Sequence, residues 1–152
     1  MSMVSNEEFI KEIASWRHEI HKNPETAFEE IETGDFLVSK LKSFGLEVHR
    51  GLAKTGVVAI LNKDSQGKAI ALRADMDALD INEETCLPYA SKNLNKMHAC
   101  GHDGHMAMLL GAAKLLSEDN TFTKKVYFVF QPAEENVAGG KDMIDAGLFD
   151  LV

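Results

Sequence analysis

The sequence contains little cysteine and no long apolar run, and each shortage excludes a class of protein. Only two of its 152 residues are cysteines, Cys86 and Cys100. They are too few for the disulfide framework that staples a small secreted domain. The opening residues also lack the basic stretch and apolar run of a secretion signal. We therefore expect a protein of the reducing cytoplasm.

Membrane insertion and nucleic-acid binding are also unfavourable. No apolar run approaches the roughly 20 residues that cross a bilayer, so we expect no membrane-embedded segment. The formal net charge is −8, which gives no general attraction to nucleic acid or to anionic lipid. The length fits a single domain. We find no internal repeat, low-complexity segment or linker that would divide it.

The amino-terminal part has the apolar spacing of two helices. Ser5 and Glu8 fit a capping box, and apolar residues then recur at helical intervals to about His21. A second helix is expected to begin near Glu25. It should end at Gly45, because glycine commonly follows the last helical residue.

After the second helix the pattern changes to that of short strands. We predict strands at residues 46–50, 57–61 and 69–73, the last two joined as a hairpin through the loop 63–67. Residues 80–97 should be irregular.

The carboxy-terminal half adds helices and one strongly apolar strand. Asp103 is expected to cap a third helix, and a fourth helix should cover residues 140–146. Residues 126–130 form an uninterrupted apolar run, which is typical of a strand covered on both faces. Helices interleaved with buried strands predict an α/β fold with a layered, mixed β-sheet flanked by helices.

Reactive side chains are concentrated in one segment and one dipeptide. Residues 97–105 contain three histidines, a cysteine and an aspartate, and Glu134 and Glu135 follow a proline after the apolar strand. Zinc binds imidazole, thiolate and carboxylate groups, and a carboxylate left free beside it can act as a general base. Ligands of open α/β sheets bind beyond the carboxyl ends of the strands. Asp75 and Asp77, which follow another strand, can therefore converge with these residues.

Each of these features also has an ordinary structural explanation. Cys100 and His102 could be a buried free cysteine beside a histidine at a helix end, and the paired glutamates could form a solvated loop. The two aspartates could bridge a turn, or they could support a metal-bound imidazole. His98 and His105 fit a supporting role as well as a ligand role. Three other histidines are predicted on exposed faces without a catalytic role: His18, His21 and His49.

Four segments carry motifs of a known family. They are 17–25 (RHEIHKNPE), 72–79 (LRADMDAL), 97–105 (MHACGHDGH) and 131–135 (QPAEE), the last followed by Gly139-Gly140. In order and spacing they resemble the aminoacylase, hippurate hydrolase and auxin-conjugate hydrolase family of metal-dependent amidohydrolases.

The resemblance implies a zinc-peptidase-like catalytic domain and assigns roles to individual residues. Cys100, His102 and Glu135 would bind metal, and Glu134 would be the general base. Asp77 joins the catalytic residues because related peptidases keep an aspartate there, behind a metal ligand. Asp75 is a weaker candidate, since those relatives have a ligand histidine at its position. Two divalent ions are expected, with zinc favoured and manganese, cobalt or nickel as alternatives.

The resemblance also implies a class of substrate, and it implies that residues 1–152 are only part of a longer catalytic protein. The expected substrate is a small N-acyl amino acid such as hippurate. Family members are typically more than twice as long, with a lid domain and further ligand histidines. We therefore expect residues 1–152 to be the amino-terminal part of the catalytic domain, weak in metal binding and without hydrolysis when alone. Self-association into a homo-oligomer is compatible with the apolar surface that such a fragment would expose.

Two alternatives stay open. One is a non-catalytic metal- or ligand-binding module of the same fold, and the other is a dipeptidase or aminopeptidase.

Overall fold

The computed structural model describes residues 6–152, so the predicted capping residue Ser5 lies outside the described residues. Three long helices and four strands are followed by three short helices. In chain order the elements are α1 (Asn6–Lys22), α2 (Ile31–Ser43), β1 (Glu47–Leu52), β2 (Gly56–Leu61), β3 (Ile70–Asp75), α3 (His102–Glu118), β4 (Val126–Gln131), α4 (Glu134–Val137), α5 (Gly139–Asp145) and α6 (Leu148–Leu151). Within residues 6–152, no helix combines the length and apolarity that crossing a membrane requires.

The four strands form one mixed sheet in the order β1-β2-β4-β3. β2 pairs antiparallel with β1 and with β4, whereas β3 pairs parallel with β4. The predicted mixed α/β fold is therefore confirmed, but the predicted hairpin between β2 and β3 is wrong. Every residue of β4 is buried, so this strand takes a central position with neighbours on both sides. β3 begins with exposed residues and lies at the edge.

Helices cover both faces of the sheet. Because side chains alternate along a strand, Phe128 and Phe130 of β4 point to one face, where they pack with residues of α1, α2 and α3. Tyr127 and Val129 point to the other face and join a smaller cluster with Met143 of α5. The prediction that residues 126–130 are covered on both faces is confirmed.

The second helix begins later than its apolar spacing predicts. Residues 24–30 form a loop instead of its first turns, and Phe28 within it has a φ of 63°. The carboxylate of Glu25 accepts the backbone N–H groups of Glu32 (3.1 Å) and Thr33 (2.8 Å), which satisfies two donors of the first turn of α2. The helix ends as predicted, with Gly45 at a φ of 79° just beyond it.

The start of α3 also differs from the prediction. The residue before the helix is Gly101, with a φ of 89°, and no side chain caps it. Asp103 is instead fully buried in the first turn. Its Oδ2 accepts hydrogen bonds from Arg17 Nε (2.9 Å) and lies 2.8 Å from His21 Nδ1. Asp103 therefore ties α3 to α1, and its predicted capping role is wrong.

Two leucines of α3 test how much a buried side chain contributes to the free energy of unfolding. Leu110 is fully buried, whereas Leu115 is 55% exposed. Leu110→Ala should lower the free energy of unfolding by about 2–5 kcal/mol, because it leaves a cavity. Leu115→Ala should change it by about 0.5 kcal/mol or less. Urea unfolding followed by circular dichroism measures both, and equal losses would contradict this description of the core.

Candidate metal centre

The candidate site forms where three chain segments meet at one edge of the sheet. β3 and β4 are parallel and adjacent, so their carboxyl ends lie side by side. The N–H of Met76 donates to the carbonyl of Gln131 at 2.8 Å, which extends the pairing just past the strands. Asp77 and the Glu134-Glu135 pair emerge at this edge. The third segment is the start of α3, which carries His102.

The three predicted metal ligands come together there. Cys100, His102 and Glu135 each offer one ligand atom, and these atoms lie within 4.8 Å of one another. His102 is 2% exposed, whereas Cys100 is exposed and Glu135 is half-buried. The group is therefore closed on the imidazole side and open to solvent on the thiol side.

The His102 ring is held in one orientation. Its Nδ1 donates to the backbone carbonyl of Asp77 at 2.8 Å, so in the neutral ring the lone pair is on Nε2. Nε2 faces the two glutamates, 4.0 Å from Glu134 Oε2 and 3.9 Å from Glu135 Oε1. A carbonyl that fixes the far nitrogen is the usual support of a metal-bound histidine. The imidazole is thus presented as a ligand would be.

Asp77 supports two members of the group. Its carboxylate is 1% exposed, Oδ2 accepts the N–H of Glu135 at 3.0 Å, and Oδ1 lies 3.4 Å from His102 Nδ1. Burial raises the pKa of Asp77, but hydrogen bonds from His102 and from the backbone N–H groups of Glu135 and Glu134 outweigh it and lower the pKa. Asp77 is therefore ionised, and it holds the ring and the glutamate turn in place.

The acidic surroundings keep protons on both the imidazole and the thiol. Burial lowers the pKa of His102, but hydrogen bonds to Asp77 and the charges of Asp75 and Asp77 prevail and raise it to about 9. The pKa of Cys100 is raised to about 11, first by its interaction with the Glu135 carboxylate and then by burial and nearby acids. The surrounding carboxylates therefore favour a positive charge at His102, and in the absence of metal the protonated imidazole carries it.

The donor set fits a divalent cation. Asp77 Oδ1 and Glu135 Oε1 are buried and make no hydrogen bond of normal geometry, an arrangement that is costly unless another partner is present. Thiolate, imidazole and carboxylate together match the ligand preferences of zinc. A dication would replace the protons on Cys100 and His102 and would pair with the excess negative charge.

A second group of three shares the same histidine. Asp75, His102 and His105 also offer ligand atoms within 4.8 Å of one another. Asp75, however, already accepts a hydrogen bond from the guanidinium of Arg73 at 2.5 Å, and Arg73 is itself held by Gln131. The charge of Asp75 is thus partly neutralised, which favours the group that contains Cys100.

The two adjacent glutamates differ in exposure. The side chain of Glu134 is 43% exposed and that of Glu135 is 21% exposed. Both begin the short helix α4, directly after Ala133. The more open acid can meet water and substrate, although both carboxylates lie about equally far from His102 Nε2. This difference agrees with separate roles for them, and the roles themselves stay predictions.

Beneath the site lies a buried polar cluster that the sequence did not reveal. His21 is 4% exposed, so its predicted exposed position is wrong, and it bridges Asp103 to Glu83 Oε1 at 3.2 Å. His98 is also buried and belongs to neither ligand group. Burial lowers the pKa of His98 to about 4. A signal was available, because Arg17 and His21 are four residues apart on one helix face.

Glu30 is a second residue that the sequence reading missed. It is fully buried, and its carboxylate accepts the N–H of Ala133 at 3.0 Å, directly before the glutamate pair. The sequence did hold a sign of this burial. Glu30 lies seven residues before Leu37, so helical spacing places it on the same face of the predicted helix, the face that packs into the core. A charged residue on such a face is unusual.

A mixed sheet in an α/β fold, with thiol, imidazole and carboxylate groups gathered beyond its strand ends, is an arrangement that metal-dependent hydrolases use. Comparison with known families agrees. The model of the family described as Peptidase family M20/M25/M40 matches residues 71–151. The chain belongs to this family.

Relatives of known name are similar over most of the chain. A hippurate hydrolase of Campylobacter jejuni is 54% identical over 134 residues, which are 88% of this chain and 35% of that protein. An N-acyl-L-amino acid amidohydrolase of Geobacillus stearothermophilus is 46% identical over 149 residues, 96% of this chain and 40% of that protein. The chain thus spans well under half the length of these relatives.

A solved structure shows the same fold. The YXEP protein of Bacillus subtilis, described as a dinuclear metal binding peptidase from the M20 family, superposes with a TM-score of 0.89 at 39% identity. The match covers 96% of this chain and 41% of that one. The mixed α/β architecture is therefore the architecture of this family.

The coupling between Asp77 and His102 can be measured without metal. Asp77→Asn removes the nearest negative charge, so it should lower the pKa of His102 from about 9 by about 1–3 units. An NMR titration of the ring signals reports this pKa. Asp64→Asn, which removes a charge in the loop after β2, should leave it unchanged. An equal pKa of His102 in wild type and Asp77→Asn would show that the Asp77 carboxylate does not raise the pKa of the ring.

Proposed function

We propose that this chain forms the amino-terminal part of the catalytic domain of a metal-dependent amidohydrolase, with the lid and the rest of that domain supplied by sequence outside it. The substrate would be a small N-acyl amino acid such as hippurate. The convergence of Cys100, His102 and Glu135 beside Glu134 carries the proposal. The names of the two relatives support the substrate class.

The proposed cofactor is a pair of divalent ions, with zinc favoured by the thiol and imidazole ligands. Support for two ions comes from the description of the Bacillus subtilis neighbour as dinuclear. Cys100, His102 and Glu135 would hold metal. Since zinc sites usually have four ligands, a full site needs donors beyond these three. The few cysteines, both free, support a cytoplasmic location.

When bound, the metal supplies Lewis-acid polarisation of the amide carbonyl and makes water more acidic. The chain's own residues supply proton transfer and orientation. Glu134 takes a proton from the attacking water on a carboxylate oxygen, and the water oxygen forms a bond to the carbonyl carbon. Glu134 then passes the proton to the amide nitrogen as the C–N bond breaks. The products are the carboxylic acid and the free amino acid.

Asp77 acts behind this chemistry as a positioning residue. It fixes the tautomer and orientation of His102 through its backbone carbonyl, and it holds the Glu135 turn through its carboxylate. The acid at position 134 favours a hydrolase over a non-catalytic binding module. A non-catalytic binding module of the same fold has no need of a solvent-facing carboxylate beside its ligands, whereas a hydrolase does.

Substitution of the general base tests the reaction directly. In the protein that carries the whole catalytic domain, Glu134→Gln should abolish hippurate hydrolysis, with a loss of at least about 10²–10⁴-fold. Bound metal should be retained, because Glu134 is not a proposed ligand. Amino acid release and metal content are measured on the same samples. Glu84→Gln, which changes an exposed acid, is the matched control, and normal turnover by Glu134→Gln would refute the assignment.

The pH dependence of metal binding tests the ligand set. The pKa values of about 9 for His102 and about 11 for Cys100 mean that both groups must lose a proton to bind metal. Affinity should therefore rise with pH, by about a hundredfold per pH unit between pH 6 and 8. Competition with a chromophoric chelator measures this slope. In Cys100→Ser the slope should fall to about tenfold per unit, and a pH-independent affinity would exclude these two ligands.

A further inference from the structure

Glu30 is a fully buried carboxylate that lies outside both ligand groups. It directly precedes α2, and its carboxylate accepts hydrogen bonds at both oxygens. Burial raises the pKa of Glu30, and hydrogen bonds from Thr55 and from the backbone N–H groups of Glu30, Ala133 and Phe28 offset only part of that rise. The hydroxyl of Thr55 donates to Oε2 at 2.6 Å, and the backbone N–H of Ala133 donates to Oε1 at 3.0 Å. Thr55 is itself 1% exposed. A buried acid is expensive to desolvate, so its contacts call for an explanation.

The contact with Ala133 falls at an unfavourable point of the backbone. Ala133 has φ 53° and ψ 44°, a left-handed conformation that side chains disfavour. This conformation turns the chain from the end of β4 into the helix that begins with Glu134 and Glu135. A residue persists in such a conformation only where its surroundings impose it.

The surroundings hold Ala133 from two sides. Glu30 accepts its N–H, while the N–H of Gly139 donates to its carbonyl oxygen at 3.0 Å. A Cβ at Gly139 would lie 1.9 Å from the carbonyl oxygen of Pro132, so only glycine allows this approach. Of these two contacts of Ala133, the one from Glu30 is made by a side chain and the one from Gly139 by the backbone.

We propose that Glu30 is a positioning residue for the metal centre, holding Ala133 in its left-handed conformation so that Glu134 and Glu135 face His102. The inference rests on the function proposed above. Two residues after Ala133, the N–H of Glu135 donates to Asp77, whose carbonyl in turn holds His102. A shift of the turn therefore reaches both the base and two of the ligands.

The loop that ends in Glu30 also holds the other acidic segment. The carbonyl of Glu25 accepts the N–H of Ala78 at 2.8 Å, next to Asp77. Residues 24–30 thus contact the segments after β3 and after β4 at the same time. This explains how a segment without a ligand of its own can set the distance between the two carboxylate-bearing segments.

Three variants separate positioning from general stability. Glu30→Met keeps the length of the side chain but removes the acceptor for Ala133. Glu30→Gln keeps an acceptor oxygen for Ala133, and its amide can donate to Thr55. This variant should therefore hold the turn as the wild type does. Leu37→Ala is the matched control, because Leu37 is fully buried in the adjoining helix α2 and its loss lowers stability without touching the turn.

Amide hydrogen exchange on the metal-free chain, followed by NMR, tests the anchor. At matched global stability, Glu30→Met should speed exchange of the Ala133 N–H at least about tenfold relative to Leu37→Ala. Glu30→Gln should stay close to wild type. In the wild-type protein the Ala133 N–H should exchange as slowly as the amides of β4, a measurement that needs no variant to fold. Exchange of Ala133 at solvent-like rates in wild type, or equally fast in Glu30→Met and Leu37→Ala, would overturn the proposal.

Binding of Co²⁺ to the protein that carries the whole catalytic domain tests the consequence for the site. Glu30→Met should weaken Co²⁺ binding by about ten- to a hundredfold and should alter the thiolate-to-cobalt absorption from Cys100. Glu30→Gln and Leu37→Ala should leave both near wild type. Unchanged affinity and absorption in Glu30→Met would overturn the positioning role. Absence of Co²⁺ binding by wild type would refute the proposed function instead, and hydrogen exchange at Ala133 would still decide whether Glu30 holds the turn.

Discussion

The parallel pairing of β3 with β4 is the constraint on which the site depends. Asp75 is in register with Gln131, so both strands end at the same level of the sheet. The two segments that carry Asp77 and the paired glutamates leave from that level as neighbours. Antiparallel pairing would send them to opposite ends of the sheet, about 20 Å apart for strands of this length. The site is therefore a product of topology first and of side-chain chemistry second.

Electrostatic repulsion is the cost of this convergence. Several carboxylates meet around a single imidazole, and the shifts of the pKa values of His102 and Cys100 both act to reduce the negative charge. This repulsion is tolerated because backbone N–H groups of the turn at Glu135 stabilise Asp77, the most buried carboxylate of the site. The side chains are thus in place without a cation, and the proposed metal binding would exchange protons for the cation instead of building a new structure.

The sequence predicted the local features and missed those that arise from long-range packing. The uniform apolar run 126–130 indicated a central strand, and the density of histidine and acid indicated the members of the site. By contrast, no local pattern shows that β4 inserts between β2 and β3. The order of the strands depends on which of them are buried in the folded sheet, and that depends on the whole chain. The late start of α2 was hidden because residues 24–30 have helical spacing, yet Glu25 and Glu30 use their carboxylates to hold backbone N–H groups. His21 was assigned to the exterior because its partner Asp103 is 82 residues away in the chain.

The orientation of His102 limits how the site can be filled. Its Nδ1 is occupied by the Asp77 carbonyl, so only Nε2 has a free lone pair, and one lone pair serves one ion. Both candidate groups, the one with Cys100 and Glu135 and the one with Asp75 and His105, include His102. With Nδ1 occupied, each group would have to use Nε2. Occupancy of the two is therefore mutually exclusive, and any second ion housed alongside the first must find its imidazole elsewhere.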